Sequence, residues 1–349
     1  MRPLLALPFW LLAADAMGQP LAQPVEPRLD REAILQRGIS CLHRGVFDSV
    51  LIASAALHAR DPDDPVGPFL AADAYNTMTR DYRVRRFEDQ FDSLITQTIT
   101  TARKALKRRP TAENYFLLGS AEGYRCFYLF RRGKWLKAIN AAMTCLDNLR
   151  IALELNPKLV DPLLGLAMYD YGKSKIPGLG RLVRKQNVIA KLERVQREGR
   201  YVSIPALYAM QIVHFETGNY VKAMACNDQL YRRFPSNPVC LYNRALLLEK
   251  LNRQADAVVV WKQLITRVET FVQPSNGYLA ECHSHLSELY RSLGEPDNAG
   301  KALASARMCA GRYQAHEEID GSYTTFEETA RAIARATQQE KAWAQRALR

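Results

Sequence analysis

From Arg31 onward, apolar residues recur three and four positions apart, the spacing that gathers them on one face of an α-helix. Several of these runs close on a residue followed by proline: Asp61-Pro62, Arg109-Pro110, Asn156-Pro157, Phe234-Pro235 and, less regularly, Gln273-Pro274. A proline with polar neighbours after a periodic run is a helix-stop signal. Alternating β-branched runs bounded by turn pairs, the mark of strands, are nearly absent. Val258-Val259-Val260 lies in helical register between Ala257 and Trp261 and reads as helix interior. The pattern predicts an all-α chain.

The helix ends serve as rulers for internal periodicity. Counting back from Pro62 puts Gly38 eighth, Gly45 fifteenth and Phe47 seventeenth; counting back from Pro235 puts Gly218 fifteenth, Tyr220 seventeenth and Ala223 twentieth. The next unit has Ala245 eighth, Asn252 fifteenth and Ala257 twentieth, and another has Gly294 fifteenth, Ala299 twentieth and Ala306 twenty-seventh. Gly133, Trp135 and Ala138 repeat the order in the middle of the chain, and Leu164-Gly165 opens a unit whose helix-ending glycine is Gly172.

These marks resemble the tetratricopeptide repeat (TPR) family, whose 34-residue units are antiparallel helix pairs. The resemblance implies small residues at the eighth and twentieth positions so that the paired helices approach. It implies Gly or Asn at the fifteenth for a left-handed helix end, and an aromatic wedge at the seventeenth. Two departures stand out: Val50 replaces an expected alanine, and Gln211 a small residue. Residues 65–109 match only through Ala102, Ala105 and Pro110, and so read as a degenerate repeat or a helical insertion. Repeat number is five to seven. The expected fold is a TPR-like α-solenoid with a final helix, about Thr325 to Leu348, capping the last repeat through Trp343.

The chain divides into a signal peptide (1–18), a Pro- and Gln-containing lead-in without fixed structure (19–30) and N-terminal repeats, partly degenerate (31–172). A basic spacer (173–200), C-terminal repeats (201–312) and a linker with capping helix (313–349) follow. The leader has Arg2, a short apolar run from Leu4 to Ala14 and small residues after it, which predicts export to the periplasm or beyond, with outer-membrane association as an option. Export changes the reading of seven cysteines, because an oxidising compartment permits disulfides. They are widely spaced and mostly inside apolar patterns, so they read as small core residues, although Cys226 and Cys240 lie on consecutive helices and could bridge.

Charge sharpens the choice of partner. The net charge of +12 favours acidic neighbours, and the spacer from Lys173 to Arg200 holds nine basic residues against Glu193 and Glu198. No nucleophile elbow, phosphate loop, dinucleotide fingerprint or HExxH is present. His283 and His285 are two apart on a helix and do not share a face. The reading is a non-enzyme without cofactor or metal: an exported scaffold that binds a protein or peptide in a solenoid groove. The expected anchors are Tyr124, Tyr128, Tyr169 and Tyr171, with Arg181, Arg184 and Lys185 steering an acidic partner. Two alternatives stand beside it. One is a peripheral binder of anionic membrane through the spacer; the other, with nucleic acid disfavoured on charge alone, is a cytoplasmic nucleic-acid or regulatory adaptor with the leader uncut.

Overall fold

A computed structural model describes residues 30–175, 185–321 and 323–347; the signal-peptide segment and Arg181 and Arg184 of the spacer lie outside them. Among the described residues are fifteen helices. They are α1 (Arg31–Arg44), α2 (Phe47–Arg60), α3 (Val66–Tyr82), α4 (Glu88–Arg108), α5 (Ala112–Arg131), α6 (Trp135–Leu155), α7 (Pro162–Ser174) and α8 (Lys185–Glu198). The second half is α9 (Ser203–Glu216), α10 (Tyr220–Arg233), α11 (Pro238–Lys250), α12 (Gln254–Glu269), α13 (Asn276–Ser292), α14 (Pro296–Ala310) and α15 (Phe326–Ala347). Each odd helix from α1 to α13 pairs with its successor, giving seven antiparallel pairs, and α15 packs on α13 and α14.

The stops read from sequence are physical. Asp61, Arg109, Asn156 and Phe234 each leave the helical region at a C-cap, because the proline ring that follows clashes with a helical residue before it. Starts are capped where the sequence offers an oxygen: Asp30, Thr111, Asn237 and Ser275 accept from backbone N–H groups three residues on. The turn within a pair is closed by a residue of positive φ: Gly45 (72°), Gly133 (68°), Gly218 (77°), Asn252 (57°) and Gly294 (77°). In α3–α4 the same place is held by Arg83, at φ 56°. Residues 65–109 therefore form a full helix pair, hidden because an arginine stands where the other five turns carry Gly or Asn.

The small positions sit where the helices meet. Ala138, Ala223, Ala245, Ala257, Ala299 and Ala306 are all buried. A β-carbon on Gly38 would lie 2.6 Å from Leu70 and 3.3 Å from Ala53, and one on Gly165 2.5 Å from Leu149, so both glycines are close-approach points. Two expectations are corrected. Gly172 does not end its helix: α7 keeps a right-handed course to Ser174, since glycine stops a helix only when it takes up the left-handed state. Trp135 does not wedge into its hinge as Phe47 and Tyr220 do; it is 57% exposed, and its ring meets Phe130 edge-on. Val50 is buried without remainder, and Gln211 is buried with its side-chain oxygen unpartnered.

All seven cysteines are free thiols, so Cys226 and Cys240 do not bridge; the Cys240 thiol is held by the Asn227 amide at 3.7 Å instead. The final helix covers the last repeat through Ile333 and Ala336; the Trp343 side chain lies outside the described residues.

Candidate functional site

The four tyrosines expected along one groove separate into two groups. On α5, Tyr124 donates its hydroxyl to Asp73 of α3 at 2.9 Å and meets Phe69 edge-on. Burial pushes the Tyr124 hydroxyl up and raises the Asp73 carboxyl to about 6, even though the Tyr124 hydrogen bond opposes that rise. Tyr128 is not a groove anchor: it is 4% exposed and packs against Phe91 of α4. On α7, Tyr171 is also buried, its hydroxyl bonded to Glu216 of α9 and Lys175 lying 4.8 Å above its ring. Tyr124 is half-buried, and Tyr169 is the most exposed of the four, at 37%, with the Lys173 ammonium 4.6 Å over its ring.

The described part of the basic spacer is not a bare cationic surface. Lys173 and Lys191 both pair with Asp170, Lys175 with Glu216, Arg194 with Glu198 and Arg200 with Glu32 of α1. Burial works against the Asp170 charge, yet the two ammonium groups hold its carboxyl below the usual range. Lys185 opens α8, but its side chain, like Arg181 and Arg184, lies outside the described residues.

The residues that sequence reasoning missed lie where the array closes on itself. The curve brings α1 and α3 against the C-terminal repeats. Asp161 accepts from the backbone N–H groups of Arg200, Tyr201 and Val202 at 3.1, 2.7 and 3.0 Å, fixing the start of α9. Tyr201 then stacks on Phe116 of α5 and reaches Glu32. His43 of α1 packs on Phe234, and Tyr82 stacks on Phe271 with centroids 3.7 Å apart. At the centre is Arg83. Its guanidinium is ion-paired with Glu281 of α13 and lies 3.8 Å over Tyr278 and 4.7 Å over Tyr242. Arginine and glutamate side chains are 7% and 3% exposed. Tyr242 donates to the other Glu281 oxygen at 2.7 Å, so the carboxylate is fully engaged and its pKa stays low although burial pushes the other way.

The segment after α14 completes the closure. Ile319 donates to the Arg83 carbonyl at 3.0 Å, Arg85 donates to the Glu317 carbonyl at 2.7 Å, and Glu318 accepts from Ser275 and Gly277. Tyr323 fills the space beside Phe215 and Tyr242. The inner face of α9, α11 and α13 is thus occupied by the chain's own α3–α4 turn and by Glu318, Ile319 and Tyr323. One signal in the sequence marks this place: Glu281 is a lone acid in the apolar stretch Tyr278-Leu279-Ala280-Glu281-Cys282, and a buried acid needs a cation.

Elsewhere, an open cleft of about 430 Å³ lies across α12, α13 and α14, bordered by Lys262, His283, Tyr290 and Lys301. Among the described residues no group of three or more His, Cys, Asp or Glu is placed to hold a metal ion, and no helix is long and apolar enough to cross a membrane.

No family model matches the chain. A 97-residue stretch is 34% identical to the TPR repeat-containing thioredoxin TTL4 of Arabidopsis thaliana, covering 28% of this chain and 13% of that protein. Among solved structures, a chain of the APC/C hetero-tetramer Cut9–Hcn1 superposes over 88% of this chain and 49% of its own length, with a TM-score of 0.57 at 14% identity. The type IV pilus biogenesis factor PilW matches more loosely, over 66% of this chain and 91% of its own, with a TM-score of 0.45 at 18% identity. The chain spans about half of the Cut9–Hcn1 chain and a small part of the thioredoxin. Helix pairing, left-handed hinges and the Cut9–Hcn1 likeness agree on one architecture: an all-α, tetratricopeptide-like solenoid with a C-terminal capping helix.

Proposed function

We propose that this chain is an exported scaffold that holds a protein or peptide partner on a rigid helical array. The observation that carries the reading is the seat of Arg83, where two tyrosine rings and a carboxylate on α11 and α13 take in a segment of polypeptide. An inner face built this way recognises a chain through aromatic and charged anchors, the residue types that concentrate binding energy. With that stretch filled, Tyr169 and Lys173 on α7 are the accessible anchor. Arg181, Arg184 and Lys185 continue the cluster in sequence and favour an acidic partner. The likeness to a chain of a hetero-tetramer fits such a role. The apolar leader within residues 1–18 supports export to the periplasm or beyond, including association with the outer membrane.

A photo-crosslinking amino acid placed at Tyr169 in the native cell should yield a discrete protein adduct. The purified partner should bind the wild-type chain at least about tenfold more tightly than Tyr169→Ala, the loss expected of an aromatic anchor. Equal binding by the two proteins removes Tyr169 from the interface. N-terminal sequencing of the mature protein tests export separately: a start near residue 19 is expected, and an intact Met1 on a cytoplasmic pool would overturn it.

A further inference from the structure

The α5–α6 hairpin carries a surface that the scaffold reading leaves unused. Phe127 and Phe130 on α5 are 70% and 54% exposed, and on α6 Trp135, Leu136, Ile139 and Met143 are 57%, 84%, 61% and 51% exposed. The α6 residues fall at i, i+1, i+4 and i+8, one stripe of about 100° on a helix of 3.6 residues per turn. Phe130 and Trp135 meet edge-on at 4.4 Å across the Gly133 turn, and Phe127 lies one turn back from Phe130 on the same face. The two helices thus present one apolar surface. Helix length explains why it is bare: α6 has 21 residues and α7 only 13. With Gly165 against Leu149, α7 runs nine residues back along α6 where fourteen lead to Trp135, so at 1.5 Å per residue it ends about 8 Å short of the hairpin tip.

Charge identifies the occupant. Residues 123–146 contain Arg125, Arg131, Arg132, Lys134 and Lys137 and not one acid. Arg125 and Arg132 are paired with Glu122 and Glu88, but Lys134 and Lys137 beside Trp135 and Leu136 have no ion pair among the described residues. The cores of protein interfaces are depleted in lysine. A stripe of Trp, Leu, Ile and Phe flanked by lysines is instead the composition of a helix lying in a lipid headgroup layer, where aromatic rings sit at the boundary and ammonium groups meet anionic phosphates. We propose that the tip of the α5–α6 hairpin is a membrane-surface contact that inserts Phe130, Trp135, Leu136 and Ile139 among the headgroups of an anionic bilayer, with Lys134 and Lys137 on the lipid phosphates.

The test is co-sedimentation of the full chain with phosphatidylcholine vesicles, with and without phosphatidylserine. The wild-type chain should sediment with the anionic vesicles and much less with the neutral ones. Leu136→Asp with Ile139→Asp, both at exposed sites and checked by unchanged circular dichroism, should weaken that binding at least about tenfold, as should Lys134→Glu with Lys137→Glu. Lys104→Ser with Lys107→Ser, which removes the same charge from exposed sites on α4, should bind as wild type does. If the hairpin variants sediment like the parent, general basicity or another segment binds the lipid and the proposal is wrong. If the wild-type chain ignores both vesicles but runs as a dimer that Leu136→Asp with Ile139→Asp splits, a second copy covers the stripe and the membrane contact is likewise overturned.

Discussion

Removing the charge of Arg83 tests the closure of the array most directly. Arg83→Met keeps the β-carbon and an unbranched stem as far as Nε, so the strain of the left-handed hinge is common to both proteins. What changes is Glu281. It is 3% exposed and loses the Arg83 guanidinium, keeping the Tyr242 hydroxyl as partner. Breaking a buried pair from one side costs about 3–5 kcal/mol, because the other charge is left uncompensated in a dry site. Replacing both members is far cheaper, so Arg83→Met with Glu281→Gln should recover most of the loss. Urea denaturation measures the energies, and small-angle scattering measures the shape. Because the latch joins residues nearly two hundred positions apart, the single variant should also show a larger radius of gyration at low urea. An Arg83→Met protein within about 0.5 kcal/mol of the parent, the range of an ordinary surface change, would refute the latch. So would a double variant as weak as the single.

Three further outcomes follow from groups held within the packing. Asp73, held at about 6 against an ordinary 3.8, binds its proton more tightly in the folded state, so its contribution to stability falls as pH rises from about 4 to 6 and is flat above. Asp73→Asn should remove that dependence and stabilise the protein at pH 7.5 by up to about 3 kcal/mol, read from the difference between two denaturation series. His43 is the opposite case. Burial, with Arg80 adding to it, lowers the imidazole from 6.5 to about 4, so stability is lost as pH falls below about 6.5. His43→Gln should flatten that limb by up to about 3 kcal/mol, and an unchanged slope would exclude His43. Ala223, fully buried between paired helices, should tolerate Leu at a cost of about 1–3 kcal/mol from overpacking, seen as a lower urea midpoint with unchanged slope.

The helices were legible because two signals coincide along the chain: apolar spacing of three and four, and proline after the last turn. The hinges were legible wherever the left-handed residue was Gly or Asn. They were not legible at Arg83, whose side chain is needed elsewhere and which bears the backbone strain for that reason. Gly172 misled for the converse reason, since nothing in the letters says which rotational state a glycine adopts. The candidate site was harder. Periodicity shows that Tyr128 and Tyr171 lie on helices, but not whether a given face turns toward a neighbouring repeat or toward open space. That depends on how far the whole array curves. The basic spacer misled by its window: Asp170, Glu216 and Glu32, which neutralise much of its described part, stand outside the stretch from Lys173 to Arg200.

A stacked array in which each unit touches only its neighbours melts from its ends and folds from anywhere. The contact between Arg83 and Glu281 removes that freedom, since the first repeats are held by the last ones. It also sets an order on synthesis. The turn bearing Arg83 is made long before Glu281 exists, so the N-terminal repeats wait with a charged docking loop and the face around Tyr82 uncovered. For that interval the unfinished chain displays a surface that the finished protein hides, and a chaperone that shields half-made chains would find its target there.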